Sequence, residues 1–530
     1  MRISFLSLLM LFFLQSPAQM PLYGGRIKPE QANMDIRHYT ISLSADIQQK
    51  SISGNTVIDL ILAQATNTLL FDLMNDLQVA KVWVNGKLTP FTHSDHVITV
   101  NSPIVLPAGK TSVKVQYSGK PHIAVRPPWE DGFTWTTDST GHPWVAITAE
   151  GTGGKIYFPC KDHPSDEPNE GVDMFITVPK GLVVAGPGLL QKVTTKKNSS
   201  TFHWKTNYTI NNYSIVFNVG DYDVVSKTYT TVDGHQVPMQ FYVLKYHANK
   251  APHHLDLLEK MAQVKEKYFG EYPWAKEKIG IVETPHLGME HQTMNAYGNN
   301  FRYTKVGGED YDGLMDHEFG HEWWGNKVTV KDWADFWIHE GIGSYGDALY
   351  ILDKEGEQAY INHFKQGRFG IANEKPLVQG KDIDEETASI GDIYTKGSFF
   401  MHTLRYVISD DNIFFPALKK LSTAPQYTYD NLVNTDDVEQ LFSSASGKNL
   451  KPLFDFYLHT TKKLEVHVTP MRNNKYRIQL DNFDSPLPLD IATENGKQKI
   501  MADKKGVAIT STVLPVVDPD AFYLKRVIYE

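Results

Sequence analysis

Apolar and polar positions alternate along the first part of the chain. Tyr39, Ile41, Leu43, Ala45 and Ile47 are separated by mostly polar residues, the two-residue period of a strand with one buried face. Val82-Trp83-Val84 runs into Asn85-Gly86, two residues that tolerate positive φ, so a tight hairpin is expected there. Alternation resumes at Val113, Val115 and Tyr117. Short runs punctuated by Gly, Pro and Asn continue to Ile215, Phe217 and Val219. The period changes after Pro252: Leu257, Met261, Val264 and Tyr268 recur at helical spacing until Gly270 and Pro273 stop the run. Helical patterns then hold to about residue 460, notably over 353–366, 396–408 and 436–458, with a strand from Lys278 to Glu283. Leu464, Val466 and Val468 restore the strand period, which turns at Asn473-Asn474 and continues through Tyr476, Ile478 and Leu480. The pattern predicts a multidomain α+β protein. Its parts are an all-β domain over 19–235, a mainly helical domain over 236–460 and a small sandwich-like β module over 461–530.

Composition adds limits to this outline. At 530 residues, with 41% hydrophobic and 21% charged, the chain is long enough for several ordinary globular cores. A net charge of −9 and the lack of a basic cluster with interleaved aromatics argue against nucleic acid as a partner. Arg2, the apolar run Phe5 to Leu14 and the small residues Ser16-Pro17-Ala18 read as a signal peptide over 1–18. That run is too short to span a bilayer, and no later stretch reaches the required length. A soluble, exported protein without stable membrane insertion is expected, in a periplasm or an extracellular space. Cys160 is the only cysteine, so no internal disulfide forms. Its apolar setting, Tyr157-Phe158-Pro159, marks it as a buried structural thiol.

The candidate chemistry centres on His317-Glu318-Phe319-Gly320-His321. On a helix the two histidines lie just over one turn apart and project from one face. A catalytic zinc takes about three protein ligands and leaves one position open, and Glu340 in Trp337-Ile338-His339-Glu340-Gly341 supplies the third. Two histidines on a helix surface are the plainer alternative. Asp312 is a plausible N-cap for the metal helix. Gly320 costs that helix about 1 kcal/mol relative to Ala, and such a glycine marks a close approach by another element or a ligand. Asp347, about two turns after Glu340, could accept a hydrogen bond from a ligand histidine, or could equally be a solvated acid.

The stretch from His317 through Glu322-Trp323-Trp324-Gly325-Asn326, followed by Glu340-Gly341, resembles the gluzincin aminopeptidases, the family of aminopeptidase N and leukotriene hydrolase. Leu287-Gly288-Met289-Glu290-His291 resembles that family's Gly-x-Met-Glu-Asn exopeptidase motif. Tyr394-Thr395-Lys396-Gly397 resembles its catalytic tyrosine segment, and Phe158-Pro159-Cys160-Lys161-Asp162-His163-Pro164 the signature of its N-terminal domain. The resemblance covers residues 35 to 460. It implies a saddle-like β domain, a thermolysin-like catalytic domain and one Zn²⁺ held by His317, His321 and Glu340. It also implies a zinc-bound water with Glu318 as general base, Tyr394 as oxyanion donor, and hydrolysis of N-terminal residues from peptides with a free N-terminus. Glu290 would hold the substrate ammonium beside the backbone of Gly288 and Met289, with Glu150 as a second anchor.

Leu287 and His291 depart from the family motif, which has Gly and Asn in their places. His291 could titrate near neutral pH or simply fill space. A short β module is also expected where longer relatives carry a large helical domain, leaving a more open site. Two alternatives remain: a thermolysin-type endopeptidase, which the exopeptidase motif disfavours, and a catalytically silent scaffold protein, which the full set of motif residues disfavours. Hydrolysis of a lipid epoxide is a narrower third.

Overall fold

The computed structural model describes residues 23–530; the expected signal peptide at 1–18 lies outside the described residues. An eight-stranded sheet dominates the N-terminal region. Its strands run in the order Leu189–Thr195, Ser199–Thr206, Val172–Pro179, Met34–Asp46, Ser51–Leu62, Gly109–Gly119, Leu77–Val84 and Lys87–Leu88. Tyr39, Ile41, Leu43 and Ala45 are all buried, which is what their alternation requires when only one face of a strand meets the core. Asn85 and Gly86 make the two-residue turn, with φ of 49° and 78°, and Val84 pairs with Lys87 across it. The strand pattern at Ile215, Phe217 and Val219 is only partly realised. A strand forms over Asn218–Gly220 alone, while Ile215 and Phe217 are fully buried without joining a ladder.

The family-like segment Phe158 to Asp162 joins this region to the site. Phe158 is fully buried and packs edge-to-face on Tyr39, with ring centroids 5.3 Å apart. Cys160 is buried and its backbone exchanges hydrogen bonds with Asp72; burial raises its thiol well above the ordinary range. Asp162 accepts the N–H of Gly154 at 3.2 Å and pairs with Lys155 at 3.1 Å, which fixes the loop that follows Glu150.

A second, four-stranded sheet lies under the site. Tyr222–Thr230 and Gln236–Leu244 pair antiparallel, and Ile279–Glu283 and Asn295–Tyr297 extend them in parallel. Helices follow. The expected helical run after Pro252 spans Ala251–Phe269 and ends at Gly270. Two other expected helices are each broken by a glycine with positive φ. Gly356, at 84°, separates Trp337–Glu355 from Glu357–Gly367, and Gly447, at 66°, separates Thr435–Ser446 from Lys451–Leu458. Asp411–Thr423 is a further helix that the spacing did not reveal. The C-terminal module is two small sheets, one centred on Leu464–Met471 and one on Leu487–Thr493. No helix among the described residues is long and apolar enough to cross a membrane.

Removing the Phe158 ring leaves a cavity between the sheet and the Glu150 loop. Phe158→Ala should lower unfolding stability by about 3–5 kcal/mol, read from chemical denaturation.

Candidate active site and metal centre

The metal helix is Gly313–Gly320, capped by Asp312, whose side chain accepts the N–H of Met315 at 3.2 Å. His317 and Glu318 lie within it. His321 is its C-cap and keeps helical dihedrals, so the i, i+4 geometry survives the helix end. Glu340 comes from the first turn of the neighbouring helix, Trp337–Glu355. His317 Nε2 and His321 Nε2 lie 3.3 Å apart, and each is 3.4 Å from Glu340 Oε2. Ligands at zinc's usual distance of about 2.0–2.1 Å, in a tetrahedral arrangement, are separated by about 3.3–3.4 Å. The three atoms therefore form one face of a zinc tetrahedron.

The outer atoms of the ligands are already committed. His321 Nδ1 donates to the Trp324 carbonyl at 2.8 Å, and His317 Nδ1 lies 3.1 Å from Asp347 Oδ2. Both Nε2 lone pairs are thereby left to point inward. Burial alone would raise the Glu340 carboxyl, but the two histidines hold it well below the usual carboxylate range. Burial opposes a proton on His321, yet Glu340 pushes that imidazole up to about 9. The negative potential that draws protons to these nitrogens also attracts a dication. The donor set, its spacing and its charge fit Zn²⁺.

Two glycines inside the motifs bring the remaining groups in. A Cβ on Gly397 would sit 2.7 Å from the Gly341 Cα, so Trp337–Glu355 and Asp392–Ile408 cross almost backbone to backbone. That crossing sets the Tyr394 ring 5.9 Å from the His317 ring. Burial first, then Glu340 and other carboxylates, hold the Tyr394 phenol well above its usual range, hence protonated. A Cβ on Gly288 would overlap the Glu318 carboxylate, so this glycine lets the Leu287–Glu290 loop close over the metal helix. Burial raises the Glu318 carboxyl to about 8, against the opposing charge of His317.

These residues line a cavity of about 500 Å³ with Leu287, Gly288, Met289, Glu290, Glu150 and Gly151 in its wall. Glu150 is half-buried, and its buried Oε1 has no hydrogen-bond partner among the described residues. The glycine-rich loop after it thus presents the side chain to the cavity. Leu287 is partly exposed at the wall. His291 does not titrate near neutrality: its ring is 1% exposed, and burial lowers it to about 3, so it fills space.

Several contributors had no role assigned from the sequence, although Glu322 and Asn326 lie in the motif stretch. Lys265, 1% exposed, stands 3.2 Å from both Asp316 and Asp347. The close approach expected at Gly320 is this lysine, whose Nζ would lie 3.5 Å from a Cβ there. Asn326 donates to the Glu290 carbonyl at 2.8 Å, tying the exopeptidase-like loop to the end of the metal motif. Glu322 accepts from Trp274 at 2.6 Å and from the Thr293 backbone at 3.0 Å, which anchors the same loop from the other side. Asp131, Trp129, Glu385 and Glu386 also line the cavity. They come from segments far apart in the chain, so spacing could not connect them.

Residues 253–457 match the peptidase family M1 domain. This stretch of the chain is thus similar to a peptidase family M1 domain. Among the proteins the chain resembles, endoplasmic reticulum aminopeptidase 1 of Rattus norvegicus is 21% identical over 75% of this chain and 45% of its own length. Leukotriene A-4 hydrolase of Xenopus laevis is 24% identical over 74% of this chain and 65% of its own length. The chain therefore spans about half to two thirds of the length of these curated relatives. The fold matches that of an M1 zinc metallopeptidase from Deinococcus radiodurans, with a TM-score of 0.68 at 20% identity, covering 83% of this chain and 95% of that one.

If Asp347 fixes the His317 tautomer, Asp347→Asn should weaken zinc binding by about 10–100-fold, measured by competition with a chromophoric chelator.

Proposed function

We propose that this protein is a zinc-dependent aminopeptidase that removes N-terminal residues from peptides. One observation carries the reading: two carboxylates outside the His317–His321–Glu340 triangle, the buried Glu290 and the half-buried Glu150, share its cavity. A free α-ammonium is the substrate group that satisfies such carboxylates, and a blocked or internal peptide offers none. Gly288 and Met289 bring backbone groups to the same wall and position the substrate chain.

His317, His321 and Glu340 would hold the zinc, which when bound acts as a Lewis acid on the scissile carbonyl and makes water more acidic. Glu318 takes the proton of the attacking water and passes it to the departing amine; its buried setting near neutral pKa suits both transfers. Tyr394, protonated, donates a hydrogen bond to the carbonyl oxygen as that oxygen gains charge. Asp347 holds His317 in its ligating tautomer, and Lys265 offsets the charge of Asp347. We further assign the units 19–235, 236–460 and 461–530 as domains. The pattern at residues 1–18 supports export to a periplasm or an extracellular space.

Glu318→Gln should lower kcat on aminoacyl anilides by at least about a thousandfold while the protein still carries one zinc per chain, assayed by metal analysis. Tyr394→Phe should cost about 100–1,000-fold in kcat with little change in KM. A free peptide should be cut from its N-terminus and its N-acetylated form spared. Cleavage of the acetylated peptide at an equal rate would overturn the exopeptidase reading.

A further inference from the structure

Two distant parts of the chain wall the cavity. Glu150 and Gly151 belong to the loop after the strand Pro143–Thr148, and Glu385 to the segment ahead of the helix Asp392–Ile408. Between them passes a short stretch, Tyr23-Gly24-Gly25, that the proposed zinc and ammonium chemistry does not use. The Tyr23 N–H donates to the Gly151 carbonyl at 3.1 Å, and the Tyr23 carbonyl accepts the Glu385 N–H at 3.0 Å. One residue thus joins both walls through its two backbone groups. The next two residues repeat the arrangement. Gly24 forms an antiparallel bridge with Asp384, and the Gly25 N–H donates to the Ile383 carbonyl at 3.0 Å. The Gly25 carbonyl accepts from His163 Nε2 at 2.8 Å, a residue of the segment that follows the Glu150 loop.

The side chains lock this strap in place. Tyr23 is 2% exposed and lies edge-on to Trp333, with ring centroids 5.3 Å apart. On the other side, the Lys155 Nζ stands 6.0 Å from the Tyr23 ring centroid, and the same lysine pairs with Asp162 at 3.1 Å. Gly24 has φ of 87°, and a Cβ there would lie 2.4 Å from the Trp333 Cδ1, so the strap lies flat on the indole only with glycine at this position. Asp332, beside Trp333, accepts the N–H groups of Asp382 at 2.5 Å and Ile383 at 3.1 Å. Trp333 and residues 382–385 therefore form one support, and the Glu150 loop is moored to it through Tyr23. Glu150 Oε1 has no hydrogen-bond partner among the described residues, so the place of this carboxylate depends on the backbone that carries it.

We propose that Tyr23 is a positioning residue for substrate binding: as a strap between the two walls, it holds Glu150 where, with Glu290, it receives the α-ammonium of a peptide. This rests on the aminopeptidase reading above. A carboxylate fixed before the substrate arrives spares the cost of ordering it on binding, and a displacement of about 1 Å is enough to forfeit much of the interaction. The metal ligands are tied by Trp324 and Asp347, so a loosened strap leaves them in place. The loss falls on substrate binding, and it appears in KM while kcat is largely kept.

The test measures kcat, KM and zinc content of the full chain on a leucyl anilide, for the native protein and for Tyr23→Ala, Gly24→Ala and Tyr23→Phe. In parallel, Glu318→Gln protein with and without Tyr23→Ala is titrated calorimetrically with the dipeptide Leu-Ala. Tyr23→Ala and Gly24→Ala should each raise KM by about tenfold, with kcat within about threefold of native and one zinc per chain. Tyr23→Phe keeps the ring and the backbone and should bring KM back to within about twofold of native. Dipeptide binding should weaken by about tenfold with Tyr23→Ala. A lowered unfolding midpoint with KM unchanged would show a merely structural role and overturn the assignment, as would a loss confined to kcat. If Tyr23→Ala does not fold, Gly24→Ala decides by the same criteria. If the native chain cleaves no anilide, the aminopeptidase reading fails and the titration alone decides the strap: equal dipeptide binding with and without Tyr23→Ala overturns it.

Discussion

Three ligand atoms on two helices have to meet in a face with edges of 3.3–3.4 Å, and most of the catalytic region serves that constraint. The atoms carry charge and lone pairs that repel or attract one another strongly in a buried setting, so each must be tied from outside. Trp324 holds His321 and Asp347 holds His317. Lys265 in turn balances Asp347 and Asp316 from a third helix, Ala251–Phe269. A buried lysine with two carboxylates is a costly group to fold unless each partner is present, and here the geometry supplies both. Gly320 and Gly346 give that lysine room, since a Cβ on either would approach its Nζ within 3.5 Å and 3.1 Å.

The same economy of space explains the motif glycines. Gly341 and Gly397 follow closely on Glu340 and Tyr394, and their contact lets two helices carry those side chains into one cavity. Gly288 does the same for the loop over Glu318. In each case the glycine is required by the approach of another element, and none of these three positions needs a positive φ. The N-terminal region contributes the segment with Trp129 and Asp131 and the loop after Glu150. Asp131 and Asp162, on either side of it, hold its backbone so that Glu150 faces the cavity.

The aminopeptidase reading depends on where charge is left uncompensated. Structural carboxylates elsewhere in the protein find partners: Asp162 has Lys155, and Glu322 accepts from Trp274 and the Thr293 backbone. On the cavity wall, Asp131 accepts a backbone N–H and Glu340 faces its two histidines, while Glu150 Oε1 has no hydrogen-bond partner among the described residues.

Local pattern settled much of this protein by itself. The alternation of Tyr39, Ile41, Leu43 and Ala45, the Asn85-Gly86 turn and the Asp312 cap depend on neighbours a few residues away, so the sequence contains the physics that makes them. The spacing of His317 and His321 likewise follows from helical geometry alone. Helix ends at Gly356 and Gly447 were less legible, because apolar spacing continues across each glycine while the backbone turns away. Glu290 and Glu150 were named from motifs, but that they share a cavity with Glu340 is a property of the folded chain. Lys265 belongs wholly to tertiary structure. Its sequence neighbourhood looks ordinary, and its importance comes from burial beside Asp316 and Asp347, tens of positions away. Periodicity reports which face of an element is buried; only packing decides which charges meet there.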